Sequence, residues 1–384
     1  MNITRREFAG MALAMKASNL DSALSEGIKR YKIPAVAAAV STADRIVYSA
    51  AFGAAKPDSI FGIASMTKAI TTTAALQLVE QGKVTLDEPV GKHLPALAKL
   101  DVLEGFDAAD QPRLRPARKP VTLRSLLTHT SGFAYDTWDE NLLRFAKAVQ
   151  PPPAVPPLMT EPGTRWEYGT SIDWTGRLVE AVSGETLEAY FQKHILQPLG
   201  MTDTSYILPP EKFERKVNGW QRQPDGSLKE DPRVPPVPPK SFNGGGGLFS
   251  TPSDYTRYMR MILHHGVTAD KHRILQAKSV AMMMANQTGD LAAGRMKAFR
   301  TDRSADVDFH AGVDDRFTFG FLLNTKAYDG GRSAGSLAWA GLLNTFYWID
   351  PKRSLCAVIM MQFLPFCDPA AMSMLRDFER AVYA

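Results

Sequence analysis

The tetrapeptide Ser65-Met66-Thr67-Lys68 is the only S-x-x-K in the chain, and it opens a helical pattern. Residues three apart share a helix face, so the Ser65 hydroxyl and the Lys68 amine are expected within hydrogen-bond reach. A serine hydroxyl attacks only once its proton has somewhere to go, and a neighbouring lysine helps to take it. The start of a helix also presents backbone N–H groups to an oxyanion. A second candidate is Tyr168-Gly169-Thr170, after Pro162-Gly163-Thr164-Arg165-Trp166. A tyrosine on a loop before a helix can project its phenol into a cleft, where a nearby cation favours the phenolate as general base. Packing beside Trp166 and Trp174 is the plainer alternative. The third candidate is Trp339-Ala340-Gly341, on a strand pattern where a glycine permits close approach of another backbone or a ligand.

Gly331-Arg332-Ser333-Ala334-Gly335 competes with these, because it fits G-x-S-x-G. That motif needs a strand before it, a helix after it and a later histidine. Here a turn precedes it, a strand pattern follows, and the last histidine is His310, so Ser333 reads as a loop residue. His264 and His265 close a helix, and His129 is expected to fix a loop beneath the site. With no H-E-x-x-H and no C-x-x-C pair, neither a metal nor a cofactor is expected. Gly244–Gly247 lacks the spacing of a nucleotide cradle and reads as a mobile loop beside a cleft.

The elements that must carry these residues follow from periodicity. Asp21–Tyr31 has a helical stripe, and the strand-like runs Ala35–Ser41 and Arg45–Phe52, separated by the short polar turn Thr42-Ala43-Asp44, read as a hairpin. Ser65–Gln81 is a helix stopped by Gly82. From about residue 86 to 205 helix and loop dominate, with helices at Ser171–Val182 and Leu187–Leu196. Pro232–Pro239 is a rigid connector, followed by a helix near Ser253–Leu263. Strand runs at Phe317–Leu323, Ala338–Ile349 and Leu355–Phe363 precede a closing helix, Pro369–Val382. Strands at both ends around a helical block imply an α+β fold with a discontinuous sheet domain, 1–85 and 206–384, and a helical domain, 86–205. The catalytic residues are expected where the two meet.

Composition narrows the function classes. The 384 residues carry 45 Lys+Arg against 40 Asp+Glu, a net charge of +5, with 45 % hydrophobic and 22 % charged residues. That is an ordinary globular composition. The densest basic patch, Arg113, Arg115, Arg118 and Lys119, has no aromatic interleaving and reads as a solvated loop, so nucleic-acid binding is not expected. No apolar run suits a membrane span, and two cysteines, Cys356 and Cys367, cannot make a disulfide framework. Thr4-Arg5-Arg6-Glu7-Phe8, followed by Ala9–Met15, looks like a twin-arginine export leader, but the apolar stretch is short and no A-x-A site follows. The expectation is a cytoplasmic protein, with periplasmic export as the alternative.

Taken together, the three candidates resemble the serine β-lactamase and penicillin-binding-protein superfamily, whose signatures are S-x-x-K, Y-x-N or S-x-N, and K-T-G. Within it the likeness is to class C β-lactamases and, more tightly, to family VIII carboxylesterases. Leu126–Gly132, Pro162–Tyr168, Gln197–Met201 and Gly244–Thr251 with Asp254-Tyr255 add local matches. The resemblance implies a β-lactamase/transpeptidase-like fold, an antiparallel sheet flanked by helices with an inserted helical domain. It implies Ser65 as nucleophile, Lys68 and Tyr168 as the general-base system, and an oxyanion hole of the Ser65 and Leu342 backbone N–H groups. Trp339, Gly341 and Thr170 would then border the substrate. Thr170 stands where the lactamases have asparagine, and Trp339 where they have the lysine that pairs with a substrate carboxylate. An indole there suits an uncharged ester, unless nearby Arg332 reaches into the cleft as a substitute cation. The expected function is hydrolysis of a small-molecule, short-chain carboxylic ester. A β-lactamase, a D-alanyl-D-alanine carboxypeptidase or an acyltransferase of the same fold are the alternatives.

Overall fold

The computed structural model describes residues 5–235 and 237–384, with side chains from residue 17 onward. The leader-like residues around Arg5 and Arg6 therefore lie outside the described side chains. Helix α1 (Arg5–Tyr31) leads into β1 (Ala35–Thr42) and β2 (Ile46–Gly53). These pair as the expected antiparallel hairpin, with Ala38 opposite Ala50. Helix α2 (Thr67–Glu80) follows a single 3₁₀ turn, Ala64–Met66, and ends before Gly82, which takes φ +68°. Twelve of its residues, Thr67 to Leu78, are buried, so α2 runs through the interior rather than along a surface. Thr71 and Thr73 tolerate this because their hydroxyls donate to carbonyls, Thr71 to Gly244 O at 2.6 Å and Thr73 to Ala69 O at 3.1 Å, whereas the Thr72 hydroxyl is buried without a partner.

The middle of the chain is less purely helical than its pattern suggests. Asp101–Phe106 and Pro112–Pro116 form an antiparallel hairpin, and Arg115 on it is paired with Glu104 and Glu161 rather than free in a loop. Helix α3 (Ser171–Ser183) packs on α2, and α4 (Pro252–Leu263) is capped by Thr251, whose hydroxyl accepts from the Asp254 amide. Strands β3 (Arg316–Phe317), β4 (Leu322–Leu323), β5 (Leu337–Gly341), β6 (Thr345–Asp350) and β7 (Leu355–Met360) then complete the sheet before α5 (Pro369–Tyr383). The continuous run Ala338–Ile349 is in fact two strands, broken at Leu342–Asn344, where Asn344 adopts φ +61°. The sheet order is β3-β4-β5-β6-β7-β1-β2, antiparallel throughout. The fold is β-lactamase/transpeptidase-like: strands from both ends of the chain meet at the β1–β7 pairing.

Alternation sets what covers each face. Tyr347 on β6 lies 4.9 Å from the Tyr255 ring of α4, whereas its neighbour Trp348 lies 5.8 Å from Phe378 of α5. The α2–α4 side and the α1–α5 side are thus opposite faces. Cys356 and Cys367 are buried free thiols. Among the described residues no helix is long and apolar enough to cross a membrane.

Arg332 belongs to the core and not to a substrate. Its guanidinium donates to Glu379 at 2.6 and 2.8 Å, its amide donates to the same carboxylate at 2.9 Å, and both residues are buried. Burial alone would push the Glu379 carboxyl up, yet the Arg332 charge beside it holds it below the usual carboxylate range. Breaking a buried pair strands the remaining charge, so Glu379→Ala is expected to cost about 3–5 kcal/mol of stability. Chemical denaturation measures this, and a loss below about 1 kcal/mol would show that the pair is solvated after all.

Candidate active site

Ser65 sits where strain and close packing fix it. Ala64, just before it, takes φ +43°, a left-handed conformation that is costly for a residue with a Cβ. The Ile63 amide donates to the Leu248 carbonyl at 2.9 Å. The Ile63 carbonyl lies so close to Gly341 that a Cβ there would meet it at 2.3 Å. Glycine at 341 thus lets the end of β5 approach the turn that carries Ser65, and Leu342 follows directly. Ser65 and Leu342 border the same cleft of about 410 Å³, together with Tyr135, Asp136, Trp138 and Arg303.

Lys68 is buried one turn into the helix. Its amine donates to Ser65 Oγ at 3.0 Å, to the Gly245 carbonyl at 2.7 Å and to the Tyr135 hydroxyl at 3.2 Å. These three acceptors match the three donors of an ammonium. Tyr135 passes the link on, donating to Asp173 Oδ2 at 3.0 Å. Burial pushes the Asp173 carboxyl up, and the Lys68 charge draws it part of the way back. Burial also holds the Tyr135 phenol well above its ordinary range, so it stays protonated and keeps donating. Gly245 completes this arrangement, since a Cβ there would strike Asp173 Oδ2 at 2.4 Å. The glycine run borders the cleft, as expected, but it is pinned by Lys68, Thr71 and Asn243 rather than loose.

Tyr168 is buried with its ring 4.9 Å from the Lys68 amine. Its hydroxyl accepts from the Trp339 indole N–H at 3.3 Å. Among the described residues, neither Ser65 nor Lys68 hydrogen-bonds that hydroxyl; Lys68 meets the Tyr168 ring face. Ser65, Trp138, Tyr168, Trp339 and Leu342 enclose a narrow void beside the wide cleft. The structure therefore gathers Ser65, Lys68, Tyr168, Trp339, Gly341 and Leu342 around one point. Thr170 stands apart as the residue before α3, its hydroxyl buried without a partner and outside the lining of either compartment. His129 is packed 4.9 Å from the Tyr168 ring, and burial, then the Lys68 charge, depresses its imidazole well below the ordinary value. It stays neutral at physiological pH and supports the tyrosine. Ser333 lies in the irregular segment before β5, its amide held by Asp350 at 2.9 Å, with neither a preceding strand nor a following helix.

Tyr135, Asp173, Trp138 and Arg303 are site residues that the motifs did not name. Asp173 had a faint signal, an acid in the first turn of the helix after the Tyr168 loop. The others had none.

An S-x-x-K serine just before a buried helix, beside an antiparallel sheet, is the arrangement of the β-lactamase/transpeptidase-like class. The chain belongs to the Beta-lactamase family, whose model matches residues 20–375. It is 34 % identical to a monacolin J acid methylbutanoyltransferase of Aspergillus terreus, over 95 % of each chain. It is 31 % identical to a lovastatin esterase of Penicillium rubens, over 89 % of this chain and 90 % of that one. Among solved structures it is similar to simvastatin synthase from Aspergillus terreus, with TM-score 0.83 and 31 % identity over 96 % of this chain and 97 % of that one. These relatives place it in a serine hydrolase and acyltransferase group.

Proposed function

We propose that the protein is an acyltransferase that passes a short acyl group from an ester donor to an alcohol through a Ser65 acyl-enzyme. The observation that carries this reading is the 3.0 Å contact between Ser65 Oγ and the buried Lys68 amine, on a cleft wide enough for an acceptor. Ser65 attacks the donor carbonyl and its proton passes into the Lys68/Tyr168 system. The Ser65 and Leu342 backbone N–H groups hold the oxyanion. The donor alcohol leaves with the proton. A second alcohol then enters and attacks the acyl carbonyl; its proton passes through the same system to Ser65 Oγ as the Ser65–acyl bond breaks, which frees the new ester and restores the enzyme. Water in that role makes the enzyme an esterase, the function the motifs suggested first. Relatives named as transferases support the alcohol as acceptor, and the relative named as an esterase supports water as a competitor.

The test is the fate of the acyl group. With p-nitrophenyl butyrate as donor, added benzyl alcohol is expected to divert most product from butyrate to benzyl butyrate. Butyrate alone at every alcohol concentration would return the protein to the esterases. Absence of both a nitrophenolate burst and turnover would remove catalysis altogether.

A further inference from the structure

Two spaces of very different size meet at Trp339, which borders both. The narrow void beside Ser65 holds about 10 Å³, little more than one water. Apart from Ser65 and the Tyr168 phenol its walls are apolar: Trp138, Met296, Trp339, Ala340, Leu342 and Phe366. The other space, a cavity of about 280 Å³, lies between strands β4–β6 and α5, against Leu322, Ala338, Phe346, Met372 and Leu375. Its charges are answered or outside. Arg332 and Glu379 hold each other, His310 meets Asp315 at 3.2 Å, and Asp308, Asp329, Arg376 and Arg380 are exposed at the rim. Aromatic rings stand between the two spaces. Phe309, which lines the cavity, lies 5.9 Å from the Trp339 ring and 6.2 Å from the Phe366 ring, both of which line the narrow void. Phe346, also on the cavity side, stacks on Phe366 at 5.9 Å. The chain around Phe309 is tied on both sides: Val307 pairs with Met296, and the Phe309 carbonyl accepts from the Tyr328 hydroxyl at 2.8 Å. The ring can be cut back while the segment that carries it stays in place.

We infer that Phe309 is a specificity-determining residue: it closes the narrow void off from the cavity behind it and so keeps the transferred acyl group short. The inference rests on the proposed acyl-enzyme and names which acyl groups that enzyme carries. Of the two compartments at Ser65, the wide one is bordered by Asp136, Arg300, Arg303 and the glycine loop, and it suits the alcohols that must enter and leave. The narrow one has no charged side chain, and it suits the hydrocarbon of the acyl group, which stays attached until transfer. A void of about 10 Å³ takes only a short group. Without the Phe309 ring, a longer chain passes Trp339 and Phe366 and reaches the cavity. Each methylene buried there is worth about fourfold in binding, and octanoyl brings four more of them than butyryl. Ala338 offers an independent handle on the same space. It stands opposite Trp348 in the β5–β6 pairing and so faces α5 with it, away from Ser65.

The experiment compares p-nitrophenyl butyrate with p-nitrophenyl octanoate as donors, read as kcat/KM for nitrophenolate release. The parent is expected to favour butyrate by about tenfold or more. Phe309→Ala should raise the octanoate-to-butyrate ratio by at least about tenfold, and Phe309→Leu should raise it less. Ala338→Phe refills the cavity from the sheet, so adding it to Phe309→Ala should return the ratio to that of the parent. A site merely loosened by the substitution would gain or lose on both esters alike, and refilling the cavity would not reverse the change. Circular dichroism checks that each variant is folded, and Phe309→Leu serves if alanine unsettles the segment. A parent that takes octanoate as readily as butyrate overturns the inference. So does a ratio unmoved by Phe309→Ala, or a gain that survives Ala338→Phe. Any of these beside an intact nitrophenolate burst defeats this inference alone. No burst with butyrate in the parent defeats the acyl-enzyme reading beneath it.

Discussion

Ser65→Ala is expected to lower butyrate release and transfer by at least about 10⁴-fold, because it removes the hydroxyl proposed to carry the acyl group. The contrast is with Ser333→Ala, expected to stay within about threefold of the parent, the size of an ordinary surface or loop effect. The argument is positional. Ser65 lies in a strained turn between Ile63, clamped by Leu248 and Gly341, and a lysine 3.0 Å from its oxygen. Ser333 shares only its pattern with an esterase elbow; its segment is irregular and its amide is committed to Asp350. Steady-state turnover and mass spectrometry of the trapped acyl-enzyme read the difference. An active, acylated Ser65→Ala beside a dead but folded Ser333→Ala would move the nucleophile to the other serine.

Much of the sheet was legible because each strand carries its own signal. Ala35–Ser41 is a continuous run of small residues, buried on both faces as a central strand is, and the short polar turn after it makes Arg45–Phe52 its antiparallel neighbour, with Ala38 opposite Ala50. The break in Ala338–Ile349 was not legible. Leu342-Leu343-Asn344 reads as a further apolar stretch, and only Asn344 in the left-handed region marks the turn. In the same way Arg115 looked like a loop charge, because its partners Glu104 and Glu161 are visible as partners only after the hairpin folds.

The site shows the same division. Ser65 and Lys68 were readable as a pair because helix geometry fixes residues three apart. Tyr135 and Asp173 reach Lys68 through contacts between segments 67 and 38 residues apart, which no local pattern encodes. Arg332 gives the reverse lesson. Sequence proximity to Trp339 suggested a cleft cation, but the chain turns between them and delivers the guanidinium to Glu379 instead. Arg300 and Arg303, on an irregular segment with no motif near it, are the arginines that line the cleft.

Lys68→Ala is expected to reduce the acylation rate by about 10³-fold, within the range spanned by acid–base groups. Three consequences of losing the amine act together. Ser65 Oγ loses the group that holds it at 3.0 Å; Tyr135 and the Gly245 carbonyl lose their donor. The Asp173 carboxyl loses the charge that opposes its burial, so it takes up a proton more readily and its acceptance of the Tyr135 hydrogen weakens. Tyr168→Phe should cost about 10²-fold or more for a different reason. It leaves Lys68 and Ser65 in contact but removes the hydroxyl that the Trp339 N–H addresses, so a second step of the proton path fails while the nucleophile stays aligned. The two substitutions are separable by where the loss appears. Lys68→Ala should suppress the nitrophenolate burst itself, and small alkylamines in solution should restore part of it. Tyr168→Phe should not respond to amines. Parent-like burst kinetics in a folded Lys68→Ala protein would remove the amine from the chemistry, and amine rescue of Tyr168→Phe would undo the separation of roles.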